Sequence, residues 1–568
     1  MKGFLSGAAA VLVLIACGGG GGGNSPTTPA ALPVFSNSFN HNSPLGTNLA
    51  PVTDFTAEYP FANFFKQARF WTSGNGATFT FDDGRSFNLD ANGNITSLKQ
   101  DQVGRALLFT GLPRDLALNG KRLILRFDGD GDFSYQGATV ISHAAGRDLI
   151  QLGNGTAADE ATLTMNLTRT NPANPVKNLR LTAAGGICRS NPLLAVTGAP
   201  ACSASDFISF ENAAGAGEIL FNPEFLDGIK SYRGLRFMDW LRTNNSTLTA
   251  AADRPLPANV FWSTDKGVPL EVIVALANLM DSDPWVNLPH QASDGYVTAM
   301  ATVLRDGLEP ARQAFVEYTN ESWNGIFVQA TFVQDQGQAQ SLDSNRFIAG
   351  LKFYSQRSQQ VFDIFAAVYG ASLGTRVKRV MATQAVNPFL TETILGFTNA
   401  AAKCDLFAIA PYFGDTIVDA ARATQFKNAG ADGIFSWLTT GAPDLGFGKL
   451  ADLDQAVADQ KSKVASFGIP LITYEGGQHL LAAGAVQSDI ALNDLLDAVN
   501  RDARMKSVYT TYLNNWRTRS AQIFWHYLNV DRWSRFGRWG SREFPTQARS
   551  AAPKFDALQT YIENRPLP

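Results

Sequence analysis

Hydrophobic and polar positions follow two different patterns along the chain. Between residues 72 and 207, short runs alternate apolar with polar residues, and turn residues separate the runs. Short alternating strands with turn signals roughly every 8–12 residues are typical of an antiparallel β-sandwich. This segment is therefore predicted to be a β-sandwich. Its expected strands include residues 79–81, 123–127, 162–167 and 179–183 and a strand that begins at Ile95.

After Ile208 the pattern changes to apolar runs that alternate with longer helical stretches. Strands that alternate with helices predict a parallel sheet. Seven strands are expected, at residues 235–237, 285–288, 314–319, 377–383, 406–410, 471–474 and 522–527. The clearest helix carries an amphipathic apolar stripe. Its members are Phe347, Leu351, Tyr354, Val361, Phe365 and Val368.

A (β/α)₈ barrel, or TIM barrel, needs one strand more than these seven. The missing strand is expected at residues 45–49, which would insert the β-sandwich after the first barrel strand. The alternative is a separate N-terminal β-domain followed by an imperfect barrel. We therefore predict an α/β fold, a (β/α)₈ barrel with an inserted or N-terminal β-sandwich domain. Its expected parts are the first strand in 35–71, the sandwich in 72–207 and the rest of the barrel in 208–568.

The N-terminal residues indicate that the protein is exported, and they are not expected to be part of the folded domain. The apolar stretch at residues 4–15 is too short to span a bilayer as a stable helix. It ends in Leu14-Ile15-Ala16-Cys17, which resembles a bacterial lipoprotein signal, and this resemblance implies that Cys17 is lipidated. A plain secretory signal with a chance cysteine is the alternative. We expect residues 1–17 to be the signal and the Gly- and Pro-rich residues 18–34 to be a flexible tether.

The same resemblance implies a place in the cell. Asp is absent directly after Cys17, which favours the outer membrane of a Gram-negative cell. We therefore expect the protein either to be lipid-anchored in the cell envelope or to be secreted. Because export implies an oxidising compartment, Cys188 and Cys202 are expected to form a disulfide, and Cys404 is expected to be a buried thiol.

Charge and composition exclude several classes of function. The 568 residues have a formal net charge of −3 and no basic block, so we expect no nucleic-acid partner. The five His form no cluster with Cys at ligand spacing, so a catalytic transition metal has no support. We expect a monomer that needs no cofactor.

Two glutamates follow predicted strands directly. Glu321 lies in Tyr318-Thr319-Asn320-Glu321-Ser322-Trp323-Asn324, and Glu475 lies in Tyr474-Glu475-Gly476-Gly477. Active sites of (β/α)₈ barrels lie at the C-terminal ends of the strands. By strand count, Glu321 ends the fourth strand and Glu475 ends the seventh.

This pair resembles glycoside hydrolase clan A, the retaining (β/α)₈ glycosidases. That clan places its acid/base after an Asn at the end of strand 4 and its nucleophile at the end of strand 7. The resemblance covers the barrel, roughly two-thirds of the chain, and implies Glu321 as acid/base and Glu475 as nucleophile. Asn320 would donate to the sugar 2-hydroxyl. Two carboxyls about 5–5.5 Å apart can cleave a β-glycosidic bond by double displacement.

Other strand ends are expected to line the same cleft. By the same resemblance, Arg236 should hold the nucleophile ionised, Tyr412 should touch it, and Trp525 should form a platform under the sugar. An ion pair of Arg236 with Asp239, and rim packing of the two aromatic residues, are the alternatives. His290 is expected to contact a sugar hydroxyl, with a structural His as the alternative. The remaining expected substrate contacts are Asp239, Trp240, Asn287 and His526.

Two further motifs compete with this interpretation. Glu317 lies four residues before Glu321 and is expected deeper in the barrel. It is therefore the second candidate for the catalytic acid, after Glu321. Residues 128–132 have the sequence Asp-Gly-Asp-Gly-Asp, which is similar to the start of a calcium loop, but Thr139 occupies the twelfth position. A solvated turn is therefore favoured there.

The expected function is a retaining β-glycoside hydrolase that acts on a β-linked polysaccharide. A β-glucan is the favoured substrate, and β-mannan and other glycans stay open. The alternatives are a non-catalytic glycan-binding surface lipoprotein and a purely structural envelope lipoprotein.

The lipoprotein interpretation has a direct test. We expect Cys17→Ser to release the protein from membranes, because diacylation plus an amide-linked chain buries enough methylenes for stable anchoring. Membrane fractionation and mass spectrometry of the mature N-terminus would check it. An unmodified Cys17, or cleavage at another position, would contradict it.

Overall fold

The computed structural model describes residues 40, 42–78, 80–113, 121–153, 160–203, 206–213 and 221–565. The predicted signal and tether, with Cys17, lie outside these residues. Within these ranges, none of the helices combines the length and the apolar character needed to cross a membrane.

The described chain begins with a short buried strand and continues into a β-rich segment. In the strands Glu160–Thr170 and Lys177–Ala183, apolar residues alternate with polar ones, as the sequence pattern predicts. The strands are β1 (Leu45–Asn48), β2 (Thr72–Asn75), β3 (Asn88–Leu89), β4 (Ile95–Ser97), β5 (Gln102–Pro113), β6 (Arg122–Asp128), β7 (Gly131–Gln136), β8 (Ala138–Ala144), β9 (Arg147–Leu152), β10 (Glu160–Thr170), β11 (Lys177–Ala183), β12 (Gly186–Cys188), β13 (Asn191–Val196) and β14 (Phe207–Ser209).

The β-rich segment is built on two antiparallel four-stranded sheets, ordered β2-β5-β10-β7 and β11-β6-β9-β8. Apolar residues of both sheets, such as Leu125 and Leu163, share one core, which is the arrangement of a β-sandwich. Strands β12 to β14 form a smaller sheet, where Cys188 and Cys202 are joined in a disulfide. The strand expected at residues 79–81 is not formed at Phe81, which is 45% exposed, and Phe79 lies outside the described residues.

The rest of the chain alternates strands with helices. The further strands are β15 (Gly234–Arg236), β16 (Asp283–Leu288), β17 (Ala314–Tyr318), β18 (Val377–Gln384), β19 (Leu406–Ala410), β20 (Thr416–Ile417), β21 (Leu471–Thr473), β22 (Leu481–Ala482) and β23 (Phe524–His526). The helices are α1 (Phe210–Ala213), α2 (Pro223–Ile229), α3 (Leu270–Met280), α4 (Asp294–Gly307), α5 (Val328–Ala339), α6 (Arg346–Tyr369), α7 (Leu373–Arg376), α8 (Pro388–Leu395), α9 (Ala400–Lys403), α10 (Ala420–Thr440), α11 (Leu450–Ala465), α12 (Ile490–Arg501), α13 (Arg504–Arg519) and α14 (Pro553–Asn564).

Eight parallel strands form a nearly closed barrel, in the order β1, β15, β16, β17, β18, β19, β21 and β23. Strand β1 pairs with β15 on one side and with β23 on the other. The seam between β21 and β23 is bridged by Thr473, whose Oγ1 accepts from the Trp525 amide at 2.6 Å. The prediction of a (β/α)₈ barrel is therefore confirmed, and each strand expected after Ile208 lies within two residues of its expected bounds.

The position of β1 decides where the β-rich segment lies in the topology. Because β1 is the first barrel strand and β15 the second, the β-rich segment lies between them along the chain. The domain boundaries at residues 72 and 207 stay predictions.

The barrel interior is filled by large aromatic side chains. Trp285 packs edge to face on Trp525, with ring centroids 5.0 Å apart, and stacks on Phe315. Gly46 and Gly234 make room for the Trp525 indole, since a Cβ on either residue would lie within 2.5 Å of it. Packed interiors tolerate such overlap poorly.

We expect Gly46→Ala to destabilise the protein by about 1–3 kcal/mol, because the added methyl overlaps the Trp525 ring. Urea denaturation would measure the loss in the free energy of unfolding. Gly374→Ala in α7 is the matched control, because a Cβ there meets nothing within 4 Å. Equal stability of the two variants would contradict this account of the barrel interior.

Candidate active site

The polar residues at the C-terminal ends of the barrel strands meet around one arginine. Arg236 is fully buried and ends β15. Its Nη1 donates to Glu475 Oε1 at 2.7 Å and to Asn48 Oδ1 at 3.1 Å. Its Nη2 donates to Glu317 Oε2 at 3.0 Å and to Asn320 Oδ1 at 2.9 Å. The planar guanidinium thus fixes four groups from the ends of three other strands, which a lysine could not do.

Aromatic rings hold the same guanidinium from two sides. It lies 5.2 Å from the Trp285 ring centroid and 5.1 Å from that of Tyr474. Burial alone lowers the pKa of Arg236, but Glu317 and Glu475 outweigh it and raise the pKa. Arg236 is therefore a permanent cation beneath the site.

Glu317 is the innermost carboxylate. It is buried, and its Oε2 accepts from Trp285 Nε1 at 3.0 Å and from Asn287 Nδ2 at 2.6 Å in addition to Arg236. Burial raises its pKa although the surrounding donors and Arg236 lower it. With these neighbours and no opening, Glu317 positions Arg236 and does not reach a substrate.

Glu321 lies above this layer on strained backbone. Thr319 and Glu321 have φ angles of +55° and +42°, a region that non-glycine residues rarely adopt and that is concentrated at functional sites. The half-buried carboxyl accepts from Tyr474 Oη at 2.7 Å and from Asn324 Nδ2 at 2.9 Å. Burial and the negative charge of Glu475 raise the pKa of Glu321 to about 7. Glu321 can therefore hold a proton near neutral pH.

Glu475 accepts hydrogen bonds on both oxygens. Arg236 donates to Oε1, and Tyr412 Oη donates to Oε2 at 2.8 Å. This is the donor set that suits an ionised carboxylate. The expected contacts of Glu475 with Arg236 and Tyr412 are both present, and Arg236 pairs with Glu475 and Glu317 rather than with Asp239.

The amide of Asn320 is held in one orientation. Its Oδ1 accepts from Arg236, and its Nδ2 donates to Asn244 Oδ1 at 3.0 Å. Gln329 Nε2 bridges the same two residues, donating to Asn244 Oδ1 and to the Asn320 carbonyl. An amide carries two N–H donors, and among the described residues the Nδ2 of Asn320 uses one of them, toward Asn244.

Asp239 interacts electrostatically with Glu475 and is half-buried. Tyr527 Oη donates to its Oδ2 at 3.3 Å, and the Tyr527 ring meets Tyr412 edge to face. Burial and the charge of Glu475 raise the pKa of Asp239 to about 6. Asp239 and the two tyrosines therefore form a partly open wall beside Glu475.

The two predicted tryptophan contacts need correction. Trp525 is fully buried in the barrel interior, because its side chain points inward from β23, one layer below the opening. It cannot form an open platform, and Tyr527 is the strand-8 aromatic residue at the rim. Trp240 is also fully buried, packed on Phe61 and Phe237 in the core around the barrel.

Three predicted polar contacts are also buried away from the opening. His526 faces Tyr509 of α13, 3.2 Å from its hydroxyl, and burial lowers the pKa of His526 to about 3. His290 packs on Phe332 of α5, and burial lowers its pKa to about 4. Asn287 donates to Glu317 and to the Thr319 carbonyl, so it supports the strand-4 backbone.

Sequence reasoning missed several residues of the site. Asn48 ends β1, and its Nδ2 donates to the carbonyls of Tyr474 and His526, which ties three strand ends together. Tyr474, Tyr527 and Asn244 were also not singled out. Asn48 and Tyr527 could have been found by asking which polar residue ends each predicted strand. Tyr474 carried the same signal, since it ends the strand expected at residues 471–474, whereas Asn244 lies in no predicted strand and carried none.

Comparisons with known proteins come from solved structures alone, since no protein-family model and no curated protein matches the chain. The GH51 arabinofuranosidase from Xanthomonas axonopodis pv. citri aligns at 11% identity with a TM-score of 0.34, over 55% of this chain and 61% of that enzyme. A modular endo-β-1,4-mannanase from Cellulomonas fimi aligns at 10% identity and a TM-score of 0.31, over 58% and 63%.

A Bacteroidetes-affiliated GH5 cellulase aligns at 11% identity and a TM-score of 0.32, over 60% of this chain and 84% of that enzyme. These neighbours are glycoside hydrolases. The chain spans less than two-thirds of the arabinofuranosidase and of the mannanase. Identities and TM-scores this low carry no functional argument, so we take the functional proposal from the site geometry.

The coupling of the two glutamates can be measured. Glu475→Gln removes a charge that raises the pKa of Glu321, so we expect this pKa to fall below about 7. Tyr474→Phe removes a hydrogen bond that lowers the pKa, so the pKa should rise. Carboxyl carbon-13 NMR titration, with the resonance assigned through Glu321→Gln, would measure both shifts.

Asp454→Asn is the control for this titration, because Asp454 lies on α11 in an ion pair with Arg519. It should leave the pKa of Glu321 unchanged. An unchanged pKa in Glu475→Gln would mean that the two carboxyls do not interact.

Proposed function

We propose that the chain is a retaining β-glycoside hydrolase in which Glu321 is the acid/base and Glu475 is the nucleophile. One observation carries the proposal: two interacting strand-end glutamates have opposite environments. Glu475 accepts from Arg236 and Tyr412, whereas burial and Glu475 raise the pKa of Glu321 to about 7. When two neighbouring carboxyls have environments that favour different protonation states, they commonly serve as the acid and the nucleophile of one reaction.

In the first step, Glu475 attacks the anomeric carbon as the glycosidic bond breaks. Glu321 gives its proton to the departing oxygen, and the sugar becomes an ester on Glu475. The remaining N–H of Asn320 would donate to the sugar 2-hydroxyl. Arg236 stabilises the carboxylate before attack and does not move, since every one of its partners is a strand-end group of the barrel.

In the second step, Glu321 acts as base. Esterification removes the charge of Glu475, which is one cause of the raised pKa of Glu321, so Glu321 keeps its negative charge more readily. Water then gives a proton to Glu321 and attacks the anomeric carbon, which restores the β configuration. Because the first step needs protonated Glu321, activity should fall as pH rises through about 7.

We further propose a β-linked polysaccharide as substrate, with a β-glucan as the first candidate, and a lipid anchor at Cys17 in the cell envelope. The motif resemblance to clan A motivates the substrate class, and the lipoprotein-like signal motivates the anchor. Both proposals are separate from the assignment of the two glutamates. Screening the soluble domain against a panel of polysaccharides would test the substrate.

The two roles can be separated by anion rescue. Glu475→Gln should abolish turnover, and the fold should persist because the Gln amide oxygen can still accept from Arg236 and Glu317 still pairs with the guanidinium. Glu321→Ala should slow glycosides with poor leaving groups severely but spare the first step for activated aryl glycosides. Azide should then rescue the second step of Glu321→Ala and give a β-glycosyl azide, because it attacks the intermediate from the face opposite Glu475.

Azide acting on Glu475→Ala should give the α-azide, because it replaces the nucleophile itself. Proton NMR distinguishes the two anomers. Exchanged anomers would reverse the assignment of roles. If the wild type first released an α product from a β-glycan, the enzyme would be inverting and the proposed mechanism would fail.

A further inference from the structure

A second cleft lies where the β-rich segment meets the long loop after β15. Its volume is about 920 Å³, and it is lined by residues between 70 and 93 of the β-rich segment and between 255 and 266 of the loop. Ligand sites are commonly about 300–1,000 Å³ and lie between domains. None of the residues assigned above to the two reaction steps lines this cleft.

The floor of the cleft is a rigid aromatic layer. Trp71 and Phe261 are each only 6% exposed and meet edge to face, with centroids 5.3 Å apart. Phe65 stacks behind Phe261 at 5.2 Å, and Trp71 Nε1 donates to the Gly93 carbonyl at 3.0 Å. The floor is therefore fixed before any ligand binds, so binding would not have to order it.

Two large apolar side chains of this cleft are exposed to solvent. Phe70 is 61% exposed and Leu89 is 52% exposed, and both line it. An exposed apolar surface with polar residues around it is typical of a ligand-binding groove. Phe70 offers a flat ring, and sugar rings present flat C–H faces that stack on aromatic rings.

The charges of the cleft are largely satisfied within the protein. Arg85 pairs with Asp83 at 2.6 Å and donates to the Gln100 carbonyl. Asp90 accepts from the amides of Asn92 and Asn94 at 2.9 Å. The exposed charges that remain, on Asp82, Asp265 and Lys266, are of mixed sign. This surface suits a neutral, hydroxyl-rich ligand better than a charged one.

The loop connects the cleft to the candidate active site. The amide of Val260 donates to the Asn92 carbonyl at 2.9 Å, which fixes the loop to the β-rich segment. Nearer the barrel, Arg242 Nη2 donates to the Ser263 carbonyl at 3.3 Å. Arg242 also interacts electrostatically with Asp239 of the site wall and with Asp265 of the cleft. Arg242 therefore links the loop that lines the cleft to Asp239 in the wall beside Glu475.

We propose that this cleft is a distal subsite that binds neutral sugar residues of a β-linked glycan whose bond is cleaved at Glu321 and Glu475. This inference rests on the proposed function and deepens it, because it makes the β-rich segment part of substrate recognition. Phe70 and Leu89 supply the apolar contact, and Asn92 and Thr264 supply polar groups around it. A substrate that reaches the cleft gains these contacts, and a short one does not.

The test compares long and short substrates in the full chain. The long probes are cellohexaose, laminarihexaose, mannohexaose and xylohexaose, and the short probes are the matching aryl monoglycosides. We expect Phe70→Ala to raise KM about five- to tenfold for the hexasaccharide that is cleaved, because one ring stacking contact is lost. Its kcat/KM on the aryl glycoside should stay within about twofold, and Phe70→Trp should restore the long-substrate KM.

A matched aliphatic pair controls for exposed apolar surface. Leu89→Ala should raise the long-substrate KM about two- to threefold by removing a smaller apolar contact. Leu194→Ala, on β13 and 58% exposed, should leave it unchanged. Equal losses on long and short substrates, or no loss with Phe70→Ala, would overturn the subsite.

A binding measurement separates this proposal from the mechanism. Calorimetric titration of the Glu475→Gln chain with the four hexasaccharides should show binding that Phe70→Ala weakens about five- to tenfold. If the wild type cleaves nothing but this weakening is found, the mechanism fails and the sugar-binding cleft stands. If no hexasaccharide binds, the cleft proposal fails.

Discussion

The site depends on one buried cation. Arg236 has no exposure to water, and it is stable there because two carboxylates and two amide oxygens accept its hydrogen bonds. Removing one partner of a buried ion pair costs about 3–5 kcal/mol, since the other charge is left uncompensated. Five strand-end side chains are thereby held in one arrangement before a substrate arrives. The barrel places these side chains at neighbouring strand ends, and the hydrogen bonds of Arg236 fix the distances between them.

Contact with Arg236 also explains why three neighbouring glutamates have different surroundings. Glu317 and Glu475 both contact the guanidinium, and Glu321 accepts instead from Tyr474 and Asn324. Glu321 makes no ion pair with Arg236, and burial and the charge of Glu475 raise its pKa to about 7. Its side chain is half-buried. Contact with Arg236 therefore separates Glu317 and Glu475, which both pair with the guanidinium, from Glu321, which accepts from Tyr474 and Asn324.

Sequence patterns predicted the barrel and the strand-end positions of Glu321 and Glu475, because both depend on local rules. Strand periodicity and the position of a residue just after a strand are visible in the sequence, which is how Glu321 and Glu475 were found. The depth of a side chain within the barrel is not visible in this way. Trp525 and His526 are neighbours on β23, yet one points into the barrel and the other toward α13. The left-handed backbone at Thr319 likewise depends on tertiary contacts, such as Asn287 donating to its carbonyl.

The place of the β-rich segment follows from the same geometry. The chain leaves the barrel after β1 and returns before α2, and the two crossings run side by side: Phe61 pairs with Phe221, and the Asn222 amide donates to the Pro60 carbonyl. The first barrel strand, β1, is thus followed by helix α2 once the inserted segment ends, as in an uninterrupted β/α unit. An insertion at the C-terminal end of a strand also emerges on the face where the site lies. The fold can therefore enlarge the surface around Glu321 and Glu475 without disturbing the Arg236 network that positions them.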